Sequence, residues 1–411
     1  AMKQWAFYIF CLISLMLTME VKYHGLPHSG YAQLVEWTFE QNNQKLNESF
    51  LARASIWDDF LGWFHLDIRN YATGFVFHAV LSLLALGCLI SILWRDLEIK
   101  NPLLIILGIA ALTFADDRIL PCTYVSPVMA LTGTPAAVAH ALGFVVILFI
   151  LRKKYYVAAI VFTMACAFNP RGTFVLGLVL AVCILYGSRR SWPALLIPMI
   201  WGIVQYVRMD TGEPLTLIDQ IIQRDGLESS VPLIKIWPLL TFLLIFPLFA
   251  ALNKDTPNRF HWIGIVVEFV SLGVLVGGWI YQAWLYPYWP VPAVWLLSPI
   301  RGMSYLVLFV HLVLICWINK NVPAVRRELV LGVLALTYLV GVGYPWAWVV
   351  AGLAALVAYV PITPLVAAAL CIGLLTIQLM RMEKGPQIYS VTVWDQAHDW
   401  TNPKLNNEKG K

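Results

Sequence analysis

The sequence predicts an all-α polytopic membrane protein of roughly thirteen transmembrane helices, with interfacial helices in a long first loop. Three observations carry that expectation. Of 411 residues, 60% are hydrophobic and 12% are charged, a charged share about half that of an ordinary soluble chain. Apolar runs recur from one end of the chain to the other. Lys and Arg collect in short loops between alternate runs, so the net charge of +5 reports topology and not an affinity for nucleic acid. Eighteen Trp and seventeen Tyr suit aromatic belts at two membrane interfaces.

The elements follow in order. Ala1-Met2-Lys3 reads as a short cloning scar ahead of a native Met. Trp5 to Met19 is short for a span, but no small-x-small cleavage site follows Thr18-Met19-Glu20, so 4–20 reads as a retained first helix. Further spans are expected over 72–94, 101–115, 134–151, 155–169, 172–187, 192–208, 234–252, 262–281, 302–318, 328–343, 345–360 and 362–380. Tyr344-Pro345 and Val360-Pro361 are the only punctuation among the last three. No period of about 20–50 residues marks a repeat array.

Short basic loops hold Arg95 and Lys100; Arg152, Lys153 and Lys154; Arg189 and Arg190; Lys254 and Arg259; and Lys320, Arg326 and Arg327. The positive-inside rule makes this face cytoplasmic, and Lys3 puts the N-terminus there. The outer face then receives loops 21–71, 116–133, 209–233 and 282–301. The expected organisation is a transmembrane domain over 1–380 and a short outer tail over 381–411, with the C-terminus outside. The first outer loop, about fifty residues, far exceeds the usual helix connection. Within it Ile56, Phe60, Trp63 and Phe64 share one helical face while Asp58 and Asp59 lie mostly off it, the pattern of a helix lying in the interface.

Two tandem carboxylate pairs are the candidate reactive groups. Asp58–Asp59 lies in Trp57-Asp58-Asp59-Phe60, and Asp116–Asp117 in Phe114-Ala115-Asp116-Asp117-Arg118. A carboxylate just above the headgroups suits a general base, or a ligand holding a divalent cation against phosphate. Neighbouring carboxylates also raise each other's pKa. The structural alternative is that one pair caps a surface helix and the other ends a span. Arg118, Arg171 in Asn169-Pro170-Arg171-Gly172, and Arg301 in Ser298-Pro-Ile-Arg301 lie outward, against the topological bias. Arginine suits bidentate phosphate binding; salt bridges to the aspartates are the alternative. Trp284, Tyr286, Tyr288 and Trp289 crowd one outer loop, where rings stack on sugars or populate an interface.

Glu268, His78, His140 and His311 fall within apolar runs, which makes each a functional hypothesis in a membrane. The histidines lack metal-ligand spacing, and a satisfied core histidine is the simpler reading. The seven cysteines show no CxxC or zinc pattern and no disulfide framework. Cys11, Cys166, Cys183, Cys316 and Cys371 read as packed thiols, and Cys122 has no obvious partner. No nucleotide-binding, zinc-protease or serine-hydrolase motif is present, which leaves ATP-driven or proteolytic chemistry without support.

A cytoplasmic N-terminus, one span, a long acidic outer loop with interfacial helices and many spans joined by tight inner turns resembles the GT-C class of integral-membrane glycosyltransferases. Thr163-Met-Ala-Cys-Ala-Phe-Asn169-Pro170-Arg171-Gly172 is similar to the Pro-x-Gly turn between middle spans of bacterial GT-C-like proteins, and Ser298-Pro-Ile-Arg301 to their late outer arginine. The resemblance implies transfer of a sugar from a polyprenyl-phosphate donor to a lipid, glycan or protein acceptor on the outer face of a bacterial inner membrane. It implies Asp58 or Asp59 as general base, and Asp116 or Asp117 as its helper or as ligand to Mg or Mn. It implies Arg301, with Arg118 or Arg171, on the donor phosphate. The implied partners are the lipid-linked donor, membrane lipids and protein subunits, with no nucleic acid. The short tail departs from members that carry a large outer domain, and leaves acceptor recognition to the outer loops. A transporter or flippase of a lipid-linked substrate, or a non-catalytic subunit of a larger assembly, are the alternatives.

Overall fold

The computed structural model describes residues 60, 62–64, 71–114, 135–170, 173–209, 246–281, 285 and 303–340. Among them all regular structure is helical and no strand occurs. The elements are α1 (Tyr71–Ser91), which runs into a π-helical turn (Ile92–Asp96), then α2 (Pro102–Phe114), α3 (Pro135–Leu151), α4 (Tyr155–Phe168) and α5 (Phe174–Gly187). A 3-10 segment (Arg189–Leu195) leads into α6 (Leu196–Met209), and α7 (Asn258–Ile280), α8 (Met303–Asn321) and α9 (Ala324–Val340) follow. Residues 246–253 are also helical. The expected spans over 4–20, 345–360 and 362–380 lie outside the described residues.

Local chemistry explains the boundaries. Asn101 precedes Pro102, and its Oδ1 accepts from the backbone N–H groups of Leu103 and Leu104 at 3.0 and 3.4 Å. A side-chain acceptor ahead of a first-turn proline is a strong start signal. The amide of the same residue donates to Glu328 Oε1 at 2.5 Å, tying the start of α2 to α9. At the other hairpin, Lys154 N–H bonds Phe149 O at 2.9 Å and Lys153 N–H bonds Ile150 O at 3.1 Å. Lys153 itself has a φ of 56°. This is a Schellman stop with lysine where glycine is usual, and it turns α3 into α4 within three basic residues.

Three boundaries differ from the expectation for physical reasons. The segment expected from 192 starts as a 3-10 turn with Pro193 inside it, and the α-helix begins at Leu196. The segment expected from 328 begins at Ala324, so Arg326 and Arg327 lie in a helix and not in a loop. The segment expected to end at 94 widens into the π turn, whose last residues include Arg95 and Asp96.

In the bundle, α3 packs on α4 and α1, α2 on α9 and α8, and α7 on α5 and α8. The core is one continuous apolar cluster through these helices, with Phe144, Phe249, Phe260 and Phe309 fully buried. Phe260 and Phe309 stack at 5.3 Å between centroids, joining α7 to α8. The outward faces are also apolar: Ile160, Met164, Leu178, Ile203, Phe269 and Val276 are all exposed. An exterior of this kind marks contact with another apolar phase. Two helices among the described residues, Asn258–Gly278 and Ser304–Asn321, are long and apolar enough to cross a membrane. By contrast α4 and α5 have 14 residues each, about 21 Å of helical rise, against a hydrocarbon layer of ~30 Å.

Two glycines allow close helix approach. A Cβ on Gly177 would lie 2.4 Å from the Phe162 ring, and one on Gly143 would lie 2.5 Å from the Tyr305 hydroxyl oxygen. Small residues at such crossings are how membrane helices approach. Gly87, also within a helix, has open space around it. Gly177→Ala is therefore expected to destabilise by about 1–3 kcal/mol through overpacking. Gly87→Ala should be neutral or stabilising by up to about 1 kcal/mol through helix propensity. Thermal unfolding of both variants in detergent reads the difference in sign.

Candidate functional site

The described helices give the bundle two chemically distinct ends. At one, among the described residues, Lys and Arg gather in the loops or the adjoining helix ends. Arg152 donates to Ser91 Oγ at 2.5 Å, and Arg259 donates to the Ile150 carbonyl at 3.3 Å. Asn321 donates to Asp255 Oδ2 at 2.9 Å, and Arg327 to the Val322 carbonyl at 2.7 Å. Lys100 donates to the Trp94 carbonyl at 3.1 Å and lies over the Trp94 ring at 5.7 Å. Beneath, Asn253 and His261 exchange contacts: the Asn253 amide donates to His261 O at 2.9 Å, and His261 Nδ1 lies 2.8 Å from Asn253 O. Asn253 sits directly against Gly264, where a Cβ would fall 2.7 Å from its amide nitrogen.

Asp96 is the unusual member of this end. Its Oδ2 is buried with no hydrogen-bond partner. Burial pushes its carboxyl above the ordinary value of 3.8, and the Arg152, Arg259 and Arg95 guanidinium groups only partly offset that. Desolvation therefore outweighs attraction here.

The opposite end carries the features that bear on the candidate chemistry. Phe60 and Gly62–Phe64 belong to a helical turn, in which Phe64 N–H bonds Phe60 O at 3.3 Å. The Phe60 ring meets Phe168 edge-on at 5.2 Å and joins an apolar patch of Val138, Ala139, Ala165 and Phe168. Trp63 and Phe64 stay 67% and 63% exposed. The expected interfacial face is thus divided: Phe60 docks on α3 and α4, and the next two aromatics face outward. Just beyond Phe168 the chain turns. Thr173 Oγ1 donates toward the carbonyls of Asn169 and Pro170 at 3.0 and 3.1 Å, and Cys166 Sγ lies 3.5 Å from it. This hydroxyl closes the turn on its own backbone, satisfying carbonyls left open at the end of α4.

His140 follows Ala139 of this patch directly on α3. It is buried, edge-on to Phe144 at 5.2 Å and tilted against Tyr305 at 5.9 Å. His311 Nδ1 lies 2.8 Å from Val307 O, the carbonyl one turn back on its own helix. Both are packed core histidines on separate elements. The described cysteines, Cys88, Cys166, Cys183 and Cys316, are free thiols.

The sequence-based site residues lie elsewhere. Asp58, Asp59, Asp116, Asp117, Arg118, Arg171, Arg301, Trp284, Tyr286, Tyr288 and Trp289 all fall outside the described residues. Among the described residues no group of three or more His, Cys, Asp or Glu side chains could hold a metal ion. What the sequence reading missed is the docking of Phe60 on Phe168; the aromatic character of both ends of that contact was its only signal. No protein-family model, curated protein or solved structure matches this chain.

The sign of the Asp96 effect is testable. A carboxyl whose folded pKa is raised contributes stability below its unfolded pKa, and that contribution is lost as pH rises through the folded value. Stability should therefore fall as pH climbs from below 3.8 into the raised range. Asp96→Asn should flatten that slope, read as melting temperature against pH beside the unaltered protein.

Proposed function

We propose that the chain is a GT-C-like membrane glycosyltransferase of roughly thirteen spans, with the basic end of the bundle facing the cytoplasm. It moves a sugar from a polyprenyl-phosphate donor to a lipid, glycan or protein acceptor on the outer face. The observation that carries the reading is the Phe60–Phe168 contact at 5.2 Å. Phe60 directly follows Asp58-Asp59 in the chain, and Phe168 precedes Asn169-Pro170-Arg171 by one residue. That contact supports a meeting of the first outer loop with the α4–α5 turn at the end opposite the basic loops. A base and a phosphate-binding cation are the two groups that sugar transfer from a phosphate-linked donor needs.

In this reading Asp58 or Asp59 takes the proton from the acceptor hydroxyl as its oxygen attacks the anomeric carbon. The bond from that carbon to the donor phosphate breaks, and the phosphate leaves with its electron pair. Arg301, Arg118 or Arg171 stabilises the departing phosphate by charge-assisted hydrogen bonds. Asp116 and Asp117 would assist the base or hold Mg or Mn, which would supply charge to offset that of the departing phosphate, and Trp284, Tyr286, Tyr288 and Trp289 would supply rings that suit a sugar. The short length of α4 and α5 fits a turn set below the membrane surface, where a polar group can work out of bulk water.

Loss of a general base costs about 10²–10⁴-fold in rate. Asp58→Asn with Asp59→Asn should reduce transfer of labelled sugar in membranes by that factor. Phe60→Ala should reduce it while both aspartates remain. Chelation should mimic the loss, with recovery on adding Mg or Mn, if the second pair binds a cation. Unchanged glycolipid and glycan products in the double aspartate variant, measured by mass spectrometry against a deletion strain, would remove the catalytic reading and favour a transporter or an assembly subunit.

A further inference from the structure

Helix α6 has two unlike sides. Leu196, Met199, Ile200, Ile203 and Val204 recur at helical spacing and are all exposed, 42–62% each. The opposite side holds Trp201 and Gln205, one turn apart, and it is this side that faces the bundle. There α6 rests mainly on α4 and on the 3-10 segment before it. Gln205 is 6% exposed. Its Nε2 and Oε1 are both buried without a hydrogen-bond partner, and so is Trp201 Nε1.

Three unmet polar atoms within one helical turn are costly to keep. Leucine or phenylalanine at these positions would pack the same seam without that cost. The indole N–H and the amide NH₂ need acceptors, and the amide oxygen needs a donor. A phosphate or a carbonyl supplies acceptors alone and leaves Oε1 unmet. Neighbouring hydroxyls supply both donors and acceptors, and the indole offers a flat apolar ring beside them.

We propose that the seam between α4 and α6 binds the hydroxylated ring of a glycoside. Trp201 Nε1 donates to one ring hydroxyl, and the Gln205 amide donates to and accepts from a neighbouring one. The inference rests on the transferase reading for the role of that ring as substrate, but not for its binding. Binding requires α6 to move outward from α4, because the three atoms are buried. Its peripheral packing and its 3-10 connection give that movement a hinge.

The test uses the full chain in phosphatidylcholine nanodiscs and a photoactivatable diazirine analogue of octyl β-D-glucoside. The expected result is cross-linking to peptides of α4 or α6, competed by octyl β-D-glucoside and not by octanol. Gln205→Leu should lower that labelling about tenfold or more, the loss of a buried hydrogen-bonding pair, while its melting temperature does not fall. Trp201→Phe serves as the second variant and should also lower labelling. Unchanged labelling in either variant, equal competition by octanol, or no cross-link in this seam would overturn the proposal. So would a Gln205→Leu protein that melts lower, since the amide then has a structural partner. If Gln205-dependent labelling persists while the aspartate variants leave every glycan product unchanged, the binding site stands and the transferase reading fails.

Discussion

Arg152 ties the end of α3 to the end of α1, 61 residues away in the chain. Its guanidinium reaches Ser91 at the end of α1, it closes α3, and its charge faces Asp96 in the π turn. Arg259 completes the arrangement by reaching back from the start of α7 to the Ile150 carbonyl. These contacts hold because charge in an apolar bundle has few places to go. With 12% charged residues, the chain concentrates ionic groups at helix ends, where water can reach them and where they satisfy open carbonyls. The rest of the architecture depends on that constraint. Once alternate helix ends must meet at a shared basic surface, adjacent helices must run antiparallel, and the remaining loops must gather at the other end.

Much of this was legible in the sequence because the signals are one-dimensional. Asn101-Pro102 announces a helix start, and the run Arg152-Lys153-Lys154 announces a turn. Helix ends agree with the expectation to within a few residues wherever such punctuation exists. The departures occur where two signals compete. Around Arg189–Leu195 a proline and two arginines interrupt an apolar run, and the result is a 3-10 segment. At Ala324 helical propensity and amphipathic spacing outweighed the charge of Arg326 and Arg327, so the helix starts earlier than hydropathy alone implied. Pairings between distant elements were not legible. That α2 lies on α9, or that Phe60 meets Phe168, depends on shape complementarity across more than a hundred residues, and no periodicity encodes it.

The candidate chemistry divides along the same line. Residue types and an expected side of the membrane follow from the loops, and that expectation singles out Asp58, Asp59 and Arg118, Arg171 and Arg301. Their mutual geometry cannot be read that way, because it is set by how loops fold back on the bundle. Phe60 is the one point where the first loop is pinned among the described residues. The apolar patch it joins is formed by small side chains, Val138, Ala139 and Ala165, beside a single ring. Leu81 of α1 and Leu142 of α3 pack against the same patch, so the docking depends on how α1, α3 and α4 come together as much as on the loop.

Buried polar atoms without a partner occur at Ser82 in α1, at Asp96 and at Ser271 in α7, but α6 holds three of them within one turn. In α2, α3, α5 and α8 the buried side is apolar, and the few buried hydroxyls and imidazoles mostly find backbone partners, as Thr113 does with Ile109 O at 2.8 Å. In α6 a stripe of apolar residues is outside, Ile197 packs on the core, and the unpartnered amide and indole are inside. Contact with any apolar phase accounts for the outer stripe. It does not explain the inner pair, which an apolar seam would exclude. Departures of this kind, where local rules fail without a packing gain, concentrate at functional positions. The pair is therefore better understood as half of a hydrogen-bonding arrangement whose other half arrives with a ligand, and the weak lateral support of α6 is what lets that half enter.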